Sequence, residues 1–354
     1  CKGRTYMPDT KAAACKWNHS PRIGIVTNPA ADNGRGKKIG PAIIRKVSHR
    51  AYELGCTVID LTGHSREESA LKISDSLQDL DILIVAGGDG MVNLGMNAVA
   101  HTRVALGIIA CGSGNDFARS TGLPVHRIDT SIEAVFASIM MCSFARVDLI
   151  HVTSADDAIP DGYEGDVRKR VDTYIAGSLN CSIDAAINLR ANASGIPVGK
   201  LRYGYAGIAE ISHPQAYGFS VSFTDLSENR QHLDLETPLF VISNAPYMGS
   251  GIKISPYSSV TDSTLDMVWA KWMPTPVEGM RVLFRAYSGA HLSERIIGWQ
   301  QIRSAELRYS GSSAYPPVLM GDGEVVGELP VKAECAPSAA RMLLPPRIAR
   351  SFQQ

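Results

Sequence analysis

Short apolar runs alternate with helical segments along the first part of the chain. Four of these runs predict strands: 22–28, 57–61, 82–86 and 104–110. Between them, apolar residues recur at helical spacing over 43–54, Gly55 predicts a C-cap, and a second helix is predicted to begin at Ser65. Strands that alternate with helices predict an α/β fold with a doubly wound, mostly parallel sheet.

The pattern changes after Val152. Strand-like runs then predominate, at 172–179, 218–224, 233–244, 264–270, 302–309 and 325–335. Helices are predicted at 183–191 and near 278–288, and the longest apolar run, 132–145, predicts a buried amphipathic helix. We therefore expect four parts: a lead-in over 1–20, an α/β domain over 21–152, a mainly antiparallel β-sandwich over 153–335, and a C-terminal segment over 336–354 whose apolar run at 341–344 packs back on the first domain.

Composition narrows the class of protein. The 354 residues are 45% hydrophobic and 20% charged, as in ordinary globular proteins. Lys+Arg and Asp+Glu both total 35, and this balance argues against bulk nucleic-acid binding and against a polybasic membrane anchor. Seven cysteines without a CxxC pair predict free thiols in a reducing compartment, and the nine histidines lack the spacing of a zinc site.

No apolar run approaches the roughly 20 residues that cross a bilayer, so no transmembrane segment is expected. The first twenty residues are polar, without an apolar signal core, and open on Cys1 rather than Met. Two interpretations stay open, a disordered lead-in or a sequence whose true start is missing, and we expect a cytoplasmic protein. Peripheral membrane association stays open.

Glycine-rich corners follow three of the predicted strands. Gly87-Gly88-Asp89-Gly90 separates the strand at 82–86 from a short helix, and comparable loops lie at 28–36 and 112–116. The carboxyl ends of parallel strands share one edge of a sheet, so the three loops should converge. Backbone N–H groups at a helix N-terminus bind anions, and glycine lets the backbone approach a phosphate. Asp89 would repel a phosphate unless a metal ion or an attacking hydroxyl also lies there. Three tight turns without a ligand are the alternative.

With these motifs in view, the sequence resembles the bacterial diacylglycerol kinase and sphingosine kinase type of lipid kinase, from about residue 22 to 345. The resemblance rests on Asn28-Pro29, GGDGMVN at 87–93, GIIACGSGNDFAR at 107–119, the stretch at 243–267, and MGDGE at 320–324. The GGDG turn alone is shared with NAD kinases and phosphofructokinases. The GSGNDFAR and DGE elements discriminate between these families.

The resemblance implies an NAD kinase/phosphofructokinase-like α/β domain with ATP at its glycine loops, and a lipid that enters between this domain and a β-sandwich. The residues that would bind the nucleotide are Asn28, Pro29, Ala30, Ala31, Asp32, Thr62, Gly87, Gly88, Asp89, Gly90, Met91, Val92, Asn93, Gly112, Ser113, Gly114 and Asn115. It also implies Glu324 as proton acceptor with Asp322 beside it, and Asp184 near the lipid head. A structural Mg²⁺ would be held by Ser259, Asp262 and Thr264, the first and last through backbone carbonyls.

Phosphoryl transfer independently requires charge neutralisation by Mg²⁺ and a carboxylate near the acceptor hydroxyl. Asp89, Asp322 and Glu324 supply carboxylates from both domains, and domain closure would bring them together. Taken alone, Asp322-Gly323-Glu324 is more typical of a hairpin turn than of a catalytic motif, and Asp262 is equally typical of an ordinary turn carboxylate.

Three positions depart from the family pattern. Ser113 replaces a threonine and keeps its hydroxyl, Met91 stands where threonine is usual, and Leu94 where glutamate is usual. We therefore keep three hypotheses: an ATP- and Mg²⁺-dependent lipid kinase, most simply for diacylglycerol; an NAD or other small-molecule kinase; and a nucleotide or lipid sensor with weakened catalysis. The sequence identifies neither the lipid nor the oligomeric state, and a homodimer stays open.

A membrane-facing surface is a further option. Its residues would be Arg281, Arg285, Tyr287, Arg295 and Trp299. A solvated helix and loop is the alternative for the same residues.

Overall fold

The computed structural model describes residues 17, 19–29, 36–155, 170–182, 215–311 and 318–352. The predicted helix at 183–191 and Asp184 lie outside this part of the chain, as do Ala30, Ala31 and Asp32. Among the described residues, no helix is long and apolar enough to cross a membrane.

The N-terminal α/β region is built on four parallel strands, in the order β4-β3-β1-β2. They are β1 (Arg22–Thr27), β2 (Thr57–Asp60), β3 (Ile82–Gly87) and β4 (Ala105–Ala110). The helices of the region are α1 (Gly36–Glu53), α2 (Arg66–Ser76), α3 (Asp89–Val99), α4 (Asp116–Ser120) and α5 (Ile128–Met140). Helix α2 begins where predicted, because the Ser65 side chain accepts a hydrogen bond from Glu68 N.

Strand β3 is buried on both faces. Ile82, Ile84 and Ala86 pack in one hydrophobic cluster, with α1 and α5. Leu83 and Val85 pack in another, with α3. This period of two, with helices on either face, explains the continuous apolar run in the sequence.

The described residues from Phe144 to Gly327 form the β region, in which every strand pair is antiparallel. Its strands are β5 (Phe144–Ser154), β6 (Asp172–Ile175), β7 (Ser178–Asn180), β8 (Tyr217–Asp225), β9 (Arg230–Thr237), β10 (Phe240–Ser243), β11 (Leu265–Ala270), β12 (Ile297–Tyr309), β13 (Leu319–Gly321) and β14 (Glu324–Gly327). Helix α6 (Pro276–Ala286) follows β11. Phe219, Phe240 and Leu265 are fully buried in its core.

The long strand β15 (Val331–Leu343) joins the two regions, and the short helix α7 (Pro346–Ser351) follows it. Leu307 of β12 pairs with Val331 at one end of β15, and Leu106 of β4 pairs with Met342 at the other. One continuous sheet therefore runs from the parallel strands into the β region. The predicted fold class, a parallel α/β sheet followed by a mainly antiparallel β-sandwich, is confirmed.

Several predicted element boundaries are wrong. The run at 132–145 is not one helix, because α5 ends at Met140 and β5 begins at Phe144, with a turn at Cys142 (φ 46°) between them. Three predicted strands are each two strands, interrupted at 176–177, 238–239 and 328–330. Pro238 and Pro330 cannot donate to a strand ladder, which accounts for two of these breaks.

Candidate active site

Two glycine corners lie in direct backbone contact at the carboxyl edge of the parallel strands. The N–H groups of Cys111 and Gly112 both donate to Gly87 O, at 3.0 and 3.1 Å. A Cβ on Gly112 would lie 2.3 Å from the Cα of Gly88, closer than any side chain allows. Glycine is therefore required where the corners meet, and the two loops form one surface.

The second corner is held in shape by Asn115. This residue adopts a left-handed conformation (φ 58°), which asparagine tolerates well. Its Oδ1 accepts a hydrogen bond from Gly112 N at 2.9 Å, and its Nδ2 donates to Gly112 O at 2.7 Å. The loop thus has a fixed backbone, and Ser113 at its tip is exposed.

Asp89, the first residue of α3, lies against this corner. Its Oδ1 accepts a hydrogen bond from Phe117 N at 3.1 Å. Its Oδ2 lies 2.8 Å from where a Cβ on Gly114 would be, so glycine is what gives the carboxylate its place. Asp89 is therefore positioned by the loop at 112–116 and the residue after it, Phe117, a loop for which the sequence predicts phosphate binding.

Asp116 is a buried neighbour of Asp89. It forms an ion pair with Arg119 at 2.6 Å and accepts a hydrogen bond from Ser250 N at 2.7 Å. Burial, together with the negative charge of Asp89, raises the pKa of Asp116 to about 6. The glycine corner is thereby tied to the β region through the loop that contains Ser250.

Asp322 holds the β13–β14 hairpin against α3. Its carboxylate accepts hydrogen bonds from the backbone N–H groups of 176–178, at 2.8, 2.8 and 3.3 Å. A further hydrogen bond comes from Asn93 Nδ2 at 3.1 Å. Burial is the main reason that its pKa is raised to about 6, and Asp89 contributes to this rise. Asp322 thus links a bend of the β region to the helix that follows the first corner.

Glu324 lies over the start of the same helix. Its Oε1 is 2.6 Å from where a Cβ on Gly90 would be, and its side chain is exposed to solvent. Arg66 of α2 donates to Gly90 O at 2.7 Å and to Asn93 Oδ1 at 2.8 Å. Asp89, Asp322 and Glu324 therefore meet at the N-terminus of α3, where helix N–H groups face an incoming anion.

Thr62 is placed beside the end of β1. Its hydroxyl accepts a hydrogen bond from Thr27 N at 3.1 Å, which fixes the approach to Asn28 and Pro29. Asn28 and Pro29, where the predicted 28–36 loop begins, therefore follow a strand end that is hydrogen-bonded to Thr62. A role for these residues in nucleotide binding stays a prediction.

The two departures from the family pattern within α3 face the core. Met91 and Leu94 are 8% and 6% exposed and belong to the hydrophobic cluster between α3 and the sheet. Val92 is buried with them. A Cβ on Gly87 would lie 2.4 Å from Met91 Cγ, so this methionine packs directly beneath the first corner. Both side chains are therefore part of the packing between α3 and the sheet.

The three residues predicted to bind a structural Mg²⁺ lie in the turn before β11. Asp262 Oδ1 accepts hydrogen bonds from Thr264 N at 3.0 Å and from Thr264 Oγ1 at 2.8 Å. Burial, followed by the charge of Asp262 among other causes, raises the pKa of the buried carboxyls of Asp148 and Asp266. A divalent cation would relieve this crowding of carboxylates, so an all-oxygen site fits the chemistry here. In the described ranges, no group of three or more His, Cys, Asp or Glu residues could by itself hold a metal, so ligation would need backbone carbonyls.

Sequence reasoning missed several residues that build the site. Asn97 Nδ2 donates to Tyr174 O at 2.7 Å, and Asn97 Oδ1 accepts from Tyr174 N at 2.9 Å, which clamps α3 to β6. Asp148 accepts hydrogen bonds from Ser263 N and Ser338 N, both at 2.7 Å. Partners this distant in sequence leave no local pattern. Asp116, by contrast, lies in the GSGNDFAR motif, which could have identified it as a site residue.

Comparisons with known proteins cover both regions of the chain. Residues 22–152 match the family model of the diacylglycerol kinase catalytic domain, and residues 177–344 match the YegS C-terminal NAD kinase beta sandwich-like domain. A diacylglycerol kinase of Mycobacterium tuberculosis is 24% identical over 326 residues, which are 92% of this chain and 95% of the relative. A diacylglycerol kinase of Bacillus subtilis is also 24% identical, over 87% of this chain and 91% of the relative.

A solved structure shares the fold. The crystal structure of a diacylglycerol kinase from Bacillus anthracis superposes with a TM-score of 0.64 at 16% identity, over 93% of this chain and 98% of that one. Along the chain, the catalytic-domain model covers the glycine corners, and the beta sandwich-like model covers the DGE hairpin. The resemblance to the diacylglycerol kinase type of lipid kinase is therefore confirmed over both regions of the chain.

Proposed function

We propose that this protein is an ATP- and Mg²⁺-dependent lipid kinase that transfers the γ-phosphoryl group of ATP to the hydroxyl of diacylglycerol, giving phosphatidic acid. One observation carries the proposal: Asp89, Asp322 and Glu324 meet at two touching glycine corners. Phosphoryl transfer requires such a combination of phosphate-binding backbone and carboxylates.

The glycine corners would bind the triphosphate. Their backbones approach each other so closely at Gly88 and Gly112 that no side chain can intervene, so a phosphate there would meet backbone rather than side chains. The N-terminus of α3 adds the partial positive charge of a helix end. Asn28, Thr62 and the tip at Ser113 would surround the rest of the nucleotide.

Asp89 is the residue that would hold Mg²⁺ against the phosphates. When bound, Mg²⁺ supplies neutralisation of the charge on the transferring group. Asp89 is fixed for this by its hydrogen bond to Phe117 N and by the space that Gly114 leaves. Without a cation, Asp89 repels two other carboxylates, Asp116 and Asp322, and this repulsion favours cation binding.

Glu324 would accept the proton of the lipid hydroxyl. Its carboxylate is exposed and close to Gly90, so it can reach a hydroxyl that approaches the phosphate at the N-terminus of α3. Asp322 has a different task, because its oxygens are engaged by the N–H groups of 176–178 and by Asn93. We assign Asp322 to positioning: it fixes the hairpin that presents Glu324.

The test is a kinase assay with labelled ATP and mixed micelles of diacylglycerol. Removal of a positioned general base costs about 10² to 10⁴ in rate, and we expect a loss of this size for Glu324→Gln. Asp89→Asn should also lose activity, because Mg²⁺ would be held less well against the phosphates. The matched control is Glu236→Gln, an exposed glutamate on β9, which should keep wild-type activity. Full activity of both site variants, or phosphorylation of NAD in place of the lipid, would contradict the proposal.

A further inference from the structure

Helix α6 carries an apolar stripe that faces solvent. Val277, Phe284 and Tyr287 are 79%, 68% and 56% exposed, and their spacing places them on one side of the helix. On another side, Ala286 is buried and Val282 packs against a small cluster of the β region. The exposed stripe is therefore separate from the face that attaches α6 to the protein.

The segment before α6 extends the same surface. Trp272 and Met273 are 44% and 40% exposed, so five large apolar side chains within 272–287 face water. Thr275 and Glu278 form a reciprocal capping box, which fixes the start of the helix next to this segment. Exposed apolar groups concentrated in this way mark an interaction surface rather than scattered surface residues.

The charge around the stripe is positive. In a chain of net charge zero, the segment 271–295 has four basic residues and two acidic ones. Arg281 and Arg285 share one partner, Glu294, at 3.0 and 2.8 Å, so the group of three carries a net positive charge. Lys271 and Arg295 are both exposed, and their segments are neighbours, because Lys271 N donates to Ile296 O at 2.7 Å.

We propose that the α6 surface, formed by 271–273 and α6 with Arg295, docks on an anionic phospholipid bilayer. An amphipathic helix with exposed aromatic and aliphatic residues beside basic ones binds the boundary between headgroups and acyl chains. The proposal rests on the proposed function, because an enzyme that phosphorylates a membrane lipid must reach the bilayer. What this proposal adds is the identity of the surface that contacts the bilayer.

The α6 surface is connected to the candidate active site by one loop. Lys253 N donates to Ala286 O at 2.9 Å at the end of α6. Three residues earlier in the same loop, Ser250 N donates to Asp116 in the second glycine corner at 2.7 Å. A bilayer docked on α6 therefore contacts an element that is hydrogen-bonded to the phosphate-binding loop.

The test is co-sedimentation of the full chain with vesicles, in the absence of ATP. We expect binding to vesicles of phosphatidylglycerol and phosphatidylcholine, and weaker binding to phosphatidylcholine alone. Val277→Ser combined with Phe284→Ser should lower the partition coefficient about tenfold or more, because two exposed apolar groups no longer enter the bilayer. Lys271→Glu with Arg295→Glu should remove the preference for anionic vesicles. The fluorescence of Trp272 should shift to the blue on binding, and Trp272→Phe identifies its signal.

The matched control is Tyr52→Ser on α1, where an 84% exposed aromatic residue lies away from this surface. It should bind vesicles like the wild type. Because Val277 and Phe284 are exposed, the Val277/Phe284 double variant should keep the wild-type urea midpoint, and so should Tyr52→Ser. If the double variant unfolds at a lower urea concentration, vesicle binding is measured with Phe284→Ser alone.

The outcomes separate the two proposals. Wild-type vesicle binding by the Val277/Phe284 double variant would overturn the docking surface, even if diacylglycerol is phosphorylated in micelles. The docking surface would also be overturned if that variant only converts a dimer into a monomer, because a second copy would then cover the stripe. Vesicle binding that depends on α6, without phosphorylation of diacylglycerol, would contradict the proposed function alone.

Discussion

Replacement of Asp89 by Asn removes one negative charge from the centre of the site and can leave its geometry in place. The hydrogen bond from Phe117 N goes to Asp89 Oδ1, and the amide oxygen of asparagine can accept the same bond. Asp116 and Asp322 both have a pKa raised to about 6, mainly by burial and further by the charge of Asp89. The substitution therefore measures how strongly the three carboxylates repel one another.

The direction of the effect follows from proton binding. The pKa of Asp116 is about 6 in the folded protein against an ordinary value of 3.8, so the folded state keeps a proton that the unfolded chain has released. The stability from this proton is complete below about pH 4 and is lost as the pH rises through about 6. For Asp116, which is 8% exposed, the loss amounts to about 3 kcal/mol. Asp322 is half-buried, and screening by water makes its contribution smaller.

The distance between the carboxylates of Asp89 and Asp116 limits how much of this loss of stability comes from repulsion by Asp89. A Cβ on Gly114 would lie 2.8 Å from Asp89 Oδ2 and 3.6 Å from Asp116 Oδ2, so the two oxygens are within about 6 Å of each other. Two like charges at that distance repel by about 0.7 to 3 kcal/mol for effective dielectric constants between 80 and 20. Burial is the larger cause, so we expect Asp89→Asn to lower the pKa of Asp116 only part of the way from about 6 towards its ordinary value, and to raise stability at pH 7 by about 1 kcal/mol.

Urea unfolding between pH 4 and pH 8 tests this expectation, together with a carboxyl ¹³C NMR titration of Asp116. Wild-type stability should fall between about pH 4 and 6, and the fall should be shallower in Asp89→Asn. The control is Asp75→Asn, which removes an exposed carboxylate from α2 and should leave the pH profile unchanged. Identical profiles for the wild type and Asp89→Asn, or a wild-type pKa of Asp116 near 4, would refute the reasoning.

Three further substitutions test the contacts that hold the candidate site together. Gly112→Ala places a Cβ 2.3 Å from the Cα of Gly88, so the corners must separate; we expect a loss of about 1 to 3 kcal/mol in urea unfolding and weaker ATP binding by calorimetry. Leu94→Glu would restore the usual family residue but puts a charge into the core, and its unfolding free energy should fall by about 3 kcal/mol or more. Asn97→Ala leaves the N–H and C=O of Tyr174 without this partner; stability should fall by about 2 kcal/mol and amide exchange at β6 should accelerate. Unchanged unfolding midpoints would contradict each of these expectations.

The fold was predictable where each segment had one dominant local signal. Strands β3 and β4 are continuous apolar runs that end in glycine, and the Ser65 cap with Glu67 and Glu68 marks the start of α2. The error at 132–145 has a physical cause, because a buried helix and a following buried strand are both apolar and no proline or glycine separates them. The breaks at Pro238 and Pro330 did carry a local signal.

The contents of the site were less predictable than its location. Glycine corners are visible in sequence because glycine is required by geometry, as at Gly88 and Gly112. Arg66 and Asn97 act through backbone carbonyls and side chains of other elements, and any polar residue type could have occupied their positions in a helical pattern. Their roles follow only from which segments the sheet brings together.

The contacts of Asp322 also change the view of how the two regions cooperate. The sequence led us to expect that domain closure brings the carboxylates together, but Asp322 is already hydrogen-bonded to Asn93 of α3, and Glu324 already lies over Gly90. Because Asp322 also binds the bend at 176–178, the hairpin, this bend and the start of α3 are joined by hydrogen bonds into one unit. The three carboxylates are thus held together by contacts within the chain itself. A closing motion, if it contributes to catalysis, has to bring the lipid or the nucleotide to this unit rather than complete it.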